Sequence, residues 1–600
     1  MIQYETKNPW DAEKTEVFFN QSTNKLAYKD RLGIVHDLDN FGNEIQTLNI
    51  NVAGVSNIVY TNGTNAYLWD VNTATYVAIG TIGTSYIIVK ATGSELENAI
   101  ELQTAYNYAS NATPYGVSLT SDNRFTVLVY PGTYLFNEAF EISNEHVDVI
   151  FVASTIDSSE NSVANSSAFF PSGIAVSAED VKVKGLSTPV AFSIENNFNG
   201  IIENCTGGEY SFTPVDYITN QDVLNGKYIN CVGGSYSFGF YQTLNGTFEN
   251  CRARDYSFGG SDDNTIGTGY ASGIFTNCVA VNYSFGVFGE ASGTFTNCTA
   301  GTNSFGYCCD AIGTFINCVA DNYSFGVGST ELEILANASG TFTDCKAEDY
   351  SFGYLNSATG TFTRCTGETY CFGSDNNSTA SGQFTDCIAN AYSFGYKGVA
   401  SGIFNRCSGR EYCFGSSDST ALISLCTGTF TNCSSTVGYS FGYLGSISAQ
   451  AVFNNCTSLD YSFSAAESTT GYLDCNGTFN NCQARNNSFG FNSNLQGSAN
   501  FNNCTASTNS FCGGSSATTA MAFGTKFNNC TATDYSFGAF VEFTGKANYC
   551  VGGDLSFGGD ASLTGQVYYC RLTDGDFITV TSTGVTRYCI NSDNTTDNQG

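Results

Sequence analysis

A pattern of large apolar and small polar residues recurs from about Ile201 to Cys589, in the form G-T-F-x-N-C-x-A-x-x-Y-S-F-G. With its Cys as position 0, Phe occupies position −3 in 13 consecutive copies and position +7 in 16 of the 17 copies that reach it. The Cys and position +2 are two residues apart, as are positions +5 and +7. Side chains two residues apart lie on the same face of a β-strand, so this spacing is typical of strands. Each copy is therefore predicted to hold three short strands, G-T-F-x, C-x-A and Y-S-F-G, with apolar side chains facing one interior.

The spacing of the cysteines predicts a solenoid. Eighteen copies follow one another at intervals of 19 to 27 residues, and repeats of this length indicate stacked supersecondary units. Helical repeats do not fit, because the copies lack the i, i+3, i+4, i+7 apolar spacing and are rich in Gly, Thr, Ser, Asn and aromatic residues. We expect an all-β, three-sided parallel β-helix of about 20–27 residues per coil, in which 17 steps of about 4.8 Å make a rod of about 80 Å.

Position −1 predicts a structural ladder along the axis. It is Asn in 11 of 18 copies, and stacked Asn amides bond to one another along such an axis. Four successive copies carry charges of alternating sign instead, and the last three carry Tyr549, Tyr569 and Tyr588. Such an order would be favoured if neighbouring side chains touch. The predicted ladder includes Asn250, Asn277, Asn297, Asn317, Asp344, Arg364, Asp386 and Arg406.

Outside the repeats, the pattern changes. Strand-like segments joined by polar turns, such as Val59–Trp69 with its Asn-Gly pair, predict a small β-domain at the N-terminus. The best helix of the chain is Ser94–Ala109, with Ser94 as N-cap and an approximate apolar stripe of Leu96, Ile100, Leu102 and Tyr106. The predicted parts are residues 1–85 (N-terminal β-domain), 86–200 (helix and first irregular coils), 201–589 (regular repeats) and 590–600 (polar tail).

Two segments carry a resemblance to known families. Asn24–Asp30, followed by Gly33 and His36–Leu38, resembles the small β-segments at the N-termini of phage tail fibres and tailspikes. The helix followed by Arg124–Tyr134 and short strands resembles the entry to a pectate-lyase-like right-handed β-helix, a family that includes many phage tailspikes. The resemblance implies a right-handed coil, a helix that caps its open end, and a homotrimer. Tailspikes commonly carry a C-terminal domain that registers the trimer, whereas a short polar tail follows Cys589 here.

The composition of the chain limits the kinds of molecule that it is expected to bind. The chain has 54 acidic and 22 basic residues, a net charge of −32, which opposes binding to nucleic acid or to an anionic membrane. We expect no transmembrane span, since no run of 18 apolar residues occurs, and no signal peptide at the N-terminus. The 25 cysteines are expected to be free, buried thiols in a protein made in a reducing compartment. Metal binding is the alternative, but C-x-x-C pairs do not recur and His36 and His146 are the only two histidines.

Two features could carry chemistry or recognition. Position +4 is often acidic, and Asp534, Asp554 and Asp574 lie in consecutive copies, where stacked carboxylates could bind Ca²⁺. The alternative is a solvent-facing turn, which Asp and Asn both suit. Insertions all follow S-F-G and should line one edge of the rod, and insertions on one face of a solenoid often form its binding face. The alternative is that loops are tolerated wherever the surface is not packed. The candidate loop residues are Asp262, Asp263, Tyr270, Glu331 and Glu333. No catalytic residue stands out, and no cofactor other than Ca²⁺ is suggested.

Three functions remain open at this stage. The first is a structural virion appendage, a tail spike, tail fibre or capsid fibre. It would attach to other virion proteins through residues 1–85 and present its β-helix to a host-surface glycan or protein. Such a protein is assembled in the host cytoplasm and acts outside it. The second is a tailspike depolymerase, a polysaccharide hydrolase or lyase, which needs paired carboxylates or bound Ca²⁺. The third is a bacterial surface adhesin.

Overall fold

The structure is a computed structural model. Besides the backbone of eight strands before residue 85, it describes residues 85–158, 172–178, 181–189, 191–194, 198–213, 223–261, 269–375, 377–419, 424–466, 473–495, 499–512, 521, 524–538, 542–558, 563–575 and 584–598. The chain divides into two compact units, residues 1–215 with 226–232 and residues 216–225 with 233–600. Each unit is described separately.

The first unit begins with two four-stranded sheets. Most neighbouring strands are antiparallel, as between Val17–Asn20 and Lys25–Lys29, and the first pair of each sheet is parallel. The eight strands are Thr6–Lys7, Val17–Asn20, Lys25–Lys29, Val35–Asp37, Gln46–Thr47, Val59–Thr61, Asn65–Asp70 and Thr75–Thr81.

A helix over Glu95–Ser110 follows, and its start is capped as predicted. The Ser94 hydroxyl accepts the N–H of Glu97 at 3.4 Å, while the Glu97 carboxylate accepts the N–H of Ser94 at 2.8 Å. This reciprocal pair satisfies two N–H groups that the helix itself cannot.

The predicted apolar stripe of this helix is wrong in two of its four positions. Leu96 and Ile100 are 46% and 59% exposed. The buried face is built mainly from small residues, which let the helix backbone lie close to the strands beneath. Tyr106 anchors it there, because its hydroxyl accepts the N–H groups of Ser143 and Asn144 at 2.9 Å each. The buried residues of the helix are Asn98, Ala99, Leu102, Ala105, Tyr106 and Ala109.

The remaining strands of the first unit pair in parallel, each with its equivalent in a neighbouring coil. Val149 lies opposite Val183, and Ile202 opposite Tyr228, with all four side chains fully buried. A short 3₁₀ helix covers Pro114–Gly116. The strands are Tyr86–Val89, Phe125–Val129, Thr133–Phe136, Phe140–Ile142, Val147–Ser158, Ser172–Val176, Lys182–Ser187, Ala191–Ile194, Ile201–Glu203 and Lys227–Ile229.

In the second unit, the G-T-F-x segments form a first sheet of parallel strands in exact register, with Phe275 opposite Phe295 and Phe295 opposite Phe315. Its strands are Thr247–Glu249, Ile274–Thr276, Thr294–Thr296, Thr314–Ile316, Thr341–Thr343, Thr361–Thr363, Gln383–Thr385, Ile403–Asn405, Thr429–Thr431, Val452–Asn454, Thr478–Asn480, Asn500–Asn502, Lys526–Asn528, Lys546–Asn548, Gln566–Tyr568 and Val585–Arg587.

The C-x-A segments form a second side, in several coils only as single bridges such as Val279 to Thr299. Its strands are Thr366–Gly367, Ile388–Ala389, Ser408–Gly409, Ser434–Ser435, Val551–Gly552, Arg571–Leu572, Cys589–Ile590 and Thr596–Asp597, the last pairing antiparallel. The third side lies just before each G-T-F. Its strands are Val223–Leu224, Thr243–Leu244, Asn337–Ala338, Ser357–Ala358, Thr379–Ala380, Val399–Ala400, Ser424–Cys426 and Gly445–Ile447.

The third side is therefore not the predicted Y-S-F-G segment, which is a turn in the described coils. Tyr283, Phe285 and Gly286 have φ values of 51°, 59° and 80°, all in the left-handed region. The segment still bonds to neighbouring coils, since the Tyr283 N–H donates to Thr302 O at 3.0 Å and the Phe285 N–H to Ser257 O at 3.1 Å. Its alternation of outer and inner side chains comes from alternating backbone conformations rather than from the pleat of a strand.

Two stacks of phenylalanine rings fill the interior of the second unit. Phe295 stacks on Phe275 and Phe315 at centroid distances of 4.8 Å, and meets Phe285 and Phe305 edge-on at 5.8 and 5.5 Å. Offset stacks and edge-to-face contacts are the arrangements that aromatic rings prefer. The chain is thus nearly all β, with a parallel β-solenoid of about 18 turns and very little helix, which confirms the predicted fold class.

Candidate functional site

Position −1, the corner just before the Cys at position 0 of each repeat (the column Cys), has a left-handed backbone whatever residue occupies it. Asn277, Asn297 and Asn317 have φ values of 53°, 54° and 51°. The Asn297 amide donates to Asn277 Oδ1 at 3.0 Å and its own oxygen accepts from Asn317 Nδ2 at 2.9 Å. Asn suits this position for two reasons. It tolerates the left-handed conformation, and its amide can bond to the preceding and to the following coil. The bonded pairs are Asn204–Asn230, Asn250–Asn277, Asn277–Asn297, Asn297–Asn317, Asn432–Asn455, Asn455–Asn481 and Asn481–Asn503.

The four charged residues of this column form two ion pairs. Arg364 binds Asp344 through two hydrogen bonds of 2.6 and 2.7 Å, and Arg406 binds Asp386 with the same distances. The guanidinium groups hold the pKa values of both carboxyls below their usual range. These side chains are about half exposed, where such pairs contribute little to stability, so their contribution is mainly to the order of the corner.

The last three coils present an exposed aromatic corner. Tyr549 stacks on Tyr569 at 5.0 Å, and Tyr569 on Tyr588 at 4.8 Å, with exposed fractions of 59%, 49% and 60%. Beside them, the Lys546 ammonium lies 5.4 Å from the centre of the Tyr568 ring. We call the set Lys546, Tyr549, Tyr568, Tyr569, Arg571, Arg587 and Tyr588 the tyrosine corner.

At position +4, carboxylate and amide oxygens accept backbone N–H groups. Asp534 Oδ1 accepts the N–H of Asp554 in the next coil at 2.9 Å, while Asp554 and Asp574 accept the N–H of the residue that follows each. Asn282 accepts the N–H of Thr302 in the same way at 3.0 Å, which explains why Asp and Asn alternate here. In the described ranges, no three His, Cys, Asp or Glu side chains are placed to hold a metal ion. The Ca²⁺ site at Asp534, Asp554 and Asp574 stays a prediction.

The insertion edge is described only in part. Asp262 and Asp263 lie outside the described residues, and Tyr270 is half-buried. Glu331 and Glu333 are exposed on a turn closed by two backbone bonds between Ser329 and Ile334, at 2.9 and 3.0 Å. Leu332 and Ile334 anchor this turn on an apolar cluster of Val287, Phe288 and Cys308. The two glutamates therefore stand on a turn that is fixed to the solenoid.

Sequence reasoning missed a column of buried serines at position +6. Ser304 Oγ accepts the N–H of Ser284 at 3.3 Å, and Ser324 Oγ accepts that of Ser304 at 3.3 Å, with all three side chains fully buried. The signal was available, since a Ser that recurs between two aromatic residues in nearly every copy needs a polar partner once buried. A second Asn ladder at position −2 was also missed. It runs through Asn454, Asn480, Asn502, Asn528 and Asn548.

The cysteines are interior thiols. All 25 are free, and 24 of them are buried. The Cys298 thiol donates to the carbonyl of Phe275 in the preceding coil at 3.4 Å. Burial raises the pKa of the Cys413 and Cys512 thiols to about 12, so they stay protonated at neutral pH. A protonated, enclosed thiol is a small apolar side chain rather than a nucleophile.

No protein-family model and no curated protein matches the chain. Among solved structures, it is similar to ORF18 of Geobacillus virus E2, with 9% identity and a TM-score of 0.13 over 90% of this chain and 70% of that one. A TM-score of this size does not establish a shared fold. None of the helices in the described part of the chain is both long and apolar enough to cross a membrane.

Proposed function

We propose that the chain is a structural virion appendage, a tail spike, tail fibre or capsid fibre. In this role, residues 1–85 attach it to other virion proteins and the solenoid holds binding surfaces towards the host cell. The solenoid itself is a scaffold, and three chains assemble into a homotrimer.

The observation that carries this proposal is the unbroken packing inside the second unit. One stack of Phe rings runs from Phe238 to Phe557 with 4.6 to 4.9 Å between neighbours. The other runs from Phe248 to Phe527 with 4.7 to 5.1 Å. An interior filled this way transmits load along the axis and leaves recognition to the outer edges.

The charge of the chain opposes non-specific association between assembled homotrimers. Each chain has a net charge of −32, so separate assemblies repel one another in solution. The insertion edge, with Glu331 and Glu333 on their anchored turn, offers variable loops on a rigid support. Binding residues are commonly carried by loops that a rigid scaffold positions.

Mass spectrometry of gradient-purified virions, together with immunogold microscopy, tests the proposal. The chain should co-purify with infectious particles and the label should decorate an appendage, while a non-structural viral protein used as control stays in the soluble fraction. Recovery of the chain only from the soluble fraction would refute it. Light scattering of the purified chain tests the homotrimer separately.

A further inference from the structure

The tyrosine corner differs from most other coils in the residue at position −1, where Tyr replaces the usual Asn. Tyr549, Tyr569 and Tyr588 have φ values of 55°, 55° and 58°, the left-handed conformation shared by every residue of this column. Asn fills the same position in 11 coils, adopts this conformation more readily than Tyr, and can bond through its amide to the next coil, as Asn297 does on both sides. Three tyrosines in succession give up that bonding and leave about half of each ring in water. In these three coils, exposed aromatic surface replaces the amide ladder.

Basic side chains flank the rings on both sides. Lys546 and Arg587 lie on the two strands of the first sheet that flank Gln566–Tyr568. Arg571 lies on the second side, next to Cys570. All three are exposed, and within the described ranges no carboxylate forms an ion pair with any of them. Arg364 and Arg406, at the ladder position of earlier coils, are each paired with an Asp. The tyrosine corner is therefore a basic, aromatic patch on a chain with a net charge of −32.

The chemistry of the patch selects one class of ligand. Guanidinium groups bind carboxylates through two parallel hydrogen bonds, and tyrosines offer both an apolar ring and a hydroxyl. The rings repeat every 4.8 to 5.0 Å along the axis of the solenoid. This spacing suits a polymer of repeating units that lies parallel to that axis. Nucleic acid fits poorly, because a duplex carries one charge per about 1.7 Å and is repelled by the rest of the chain. A polymer with fewer charges per unit length is repelled less by the rest of the chain, and salt screens the charges that lie more than about 8–10 Å away.

We propose that the tyrosine corner binds a carboxylate-bearing polysaccharide. The carboxylates pair with Arg571, Arg587 and Lys546, and the sugar rings lie against the exposed tyrosines. This inference rests on the host-surface role proposed above and names the chemistry of the surface that is bound.

Calorimetry of the full chain with polygalacturonate, and with neutral dextran of similar length, tests the proposal. Polygalacturonate should bind with an affinity that falls as salt rises, and dextran should not bind. The triple variant Y549N, Y569N and Y588N should lose at least tenfold in affinity. It should keep the fold, because Asn is the usual residue at this position. Circular dichroism of the variant checks this.

Charge is tested separately. R571Q with R587Q should weaken binding at least tenfold and flatten the salt dependence, because two charge contacts are lost. The matched control R485Q removes an exposed cation from another coil and should leave binding unchanged. Oligothymidylate serves as a polyanion without sugar carboxylates and should bind at least tenfold more weakly than polygalacturonate.

Three results would overturn the inference: no binding of polygalacturonate by the unaltered chain, equal binding by the folded tyrosine variant, or equal affinity for oligothymidylate. The virion experiment is independent of all three. A chain that is found in virions and fails to bind polygalacturonate refutes the site alone, whereas a chain that binds it and is missing from virions refutes the virion role alone.

Discussion

At the corner before each column Cys, a single side chain has to meet two requirements. Asn297 holds a φ of 54° and bonds through its amide to the coils on either side. Where another residue stands there, a different contact replaces the amide ladder: the Asp344–Arg364 pair in one place and the stacked tyrosines in another. The corner tolerates changes of residue as long as successive coils still bond to one another.

Replacing Asn297 by Ala and by Gly separates the two requirements. Ala must adopt the left-handed conformation and also loses both amide bonds, so we expect a loss of about 2 kcal/mol in the free energy of local opening. Gly adopts this conformation freely and should lose about half as much, from the amide bonds alone. Hydrogen exchange of the coils around Asn277 and Asn317 measures the opening. Equal losses for Ala and Gly would mean that backbone conformation contributes nothing at this corner.

At the scale of the element, one coil consists of three short strands and a left-handed turn. Two of its strands, G-T-F-x and C-x-A, follow from the sequence because their alternation is that of a pleated strand. The third could not be located. The alternation of Tyr283 and Phe285 has the same period of two, although both residues are left-handed, and parity alone does not distinguish these cases. In many coils, the strand that closes the coil places only a small residue inside, such as Ala291 or Ala311, and such residues give no periodic signal.

The candidate sites were predictable to a similar extent. The sequence pattern placed the Asn, Asp and Arg of position −1 in one column, where they are now found bonded to one another. It could not indicate that Asp534 would accept the N–H of Asp554, because a carboxylate at a turn is compatible with solvent, a metal ion or a backbone donor. The groups that surround the carboxylate in the folded chain decide between these options, and the sequence does not give their positions.

Truncating one ring of the interior tests the herringbone packing. Phe305 is fully buried between Phe285 and Phe325 and meets Phe295 and Phe315 edge-on. Phe305→Ala should destabilise the chain by about 3–5 kcal/mol, through lost burial and the cavity left behind. Phe305→Leu keeps most of the volume and should cost clearly less.

Urea unfolding of both variants, with hydrogen exchange to locate the damage, measures these effects. The loss of protection should be greatest in the coils that touch Phe305, because each coil of a solenoid contacts only its neighbours. A uniform loss over the whole chain would instead indicate that the solenoid opens as a single cooperative unit.

At the scale of the molecule, the buried thiols make stability depend on pH. The pKa of Cys413 rises from 9.0 to about 12 on folding because the thiol is buried, and that of Cys512 likewise. A folded pKa above the unfolded value means that this contribution is complete below pH 9 and is lost as pH rises towards 12. The urea midpoint should therefore fall between pH 9 and pH 12.

Serine variants isolate this effect from other groups that titrate at high pH. Cys371 and Cys413 occupy the position where most coils have a buried Ser, so C371S with C413S should fold normally. Burial raises the pKa of both thiols above the ordinary value. The midpoint of the double variant should fall less steeply with pH than that of the parent chain. Parallel pH profiles would show that these two thiols do not contribute.

The length of the solenoid should be adjustable by whole coils. Gly293 and Gly313 are equivalent positions, since Thr294 pairs with Thr314. Deleting residues 293–312 joins Ser292 to Gly313 and removes 20 residues. Phe315 would then stack on Phe275, and Asn317 would bond to Asn277, so that every interior column stays continuous. We expect a folded chain whose thermal midpoint changes by only a few degrees, because a single nearest-neighbour interface is lost.

Deleting only residues 293–302 is the matched control. This removes half a coil and brings the left-handed Y-S-F-G turn opposite a strand of the preceding coil, where neither the rings nor the backbone groups meet their partners. Such a chain should aggregate or lose its cooperative unfolding, since a displaced coil exposes apolar rings and unpaired strand edges. Circular dichroism and size-exclusion chromatography compare the two deletions. If the whole-coil deletion fails as badly as the half-coil deletion, the coil from Gly293 to Ile312 is not an independent repeating unit, and contacts across several coils must stabilise it.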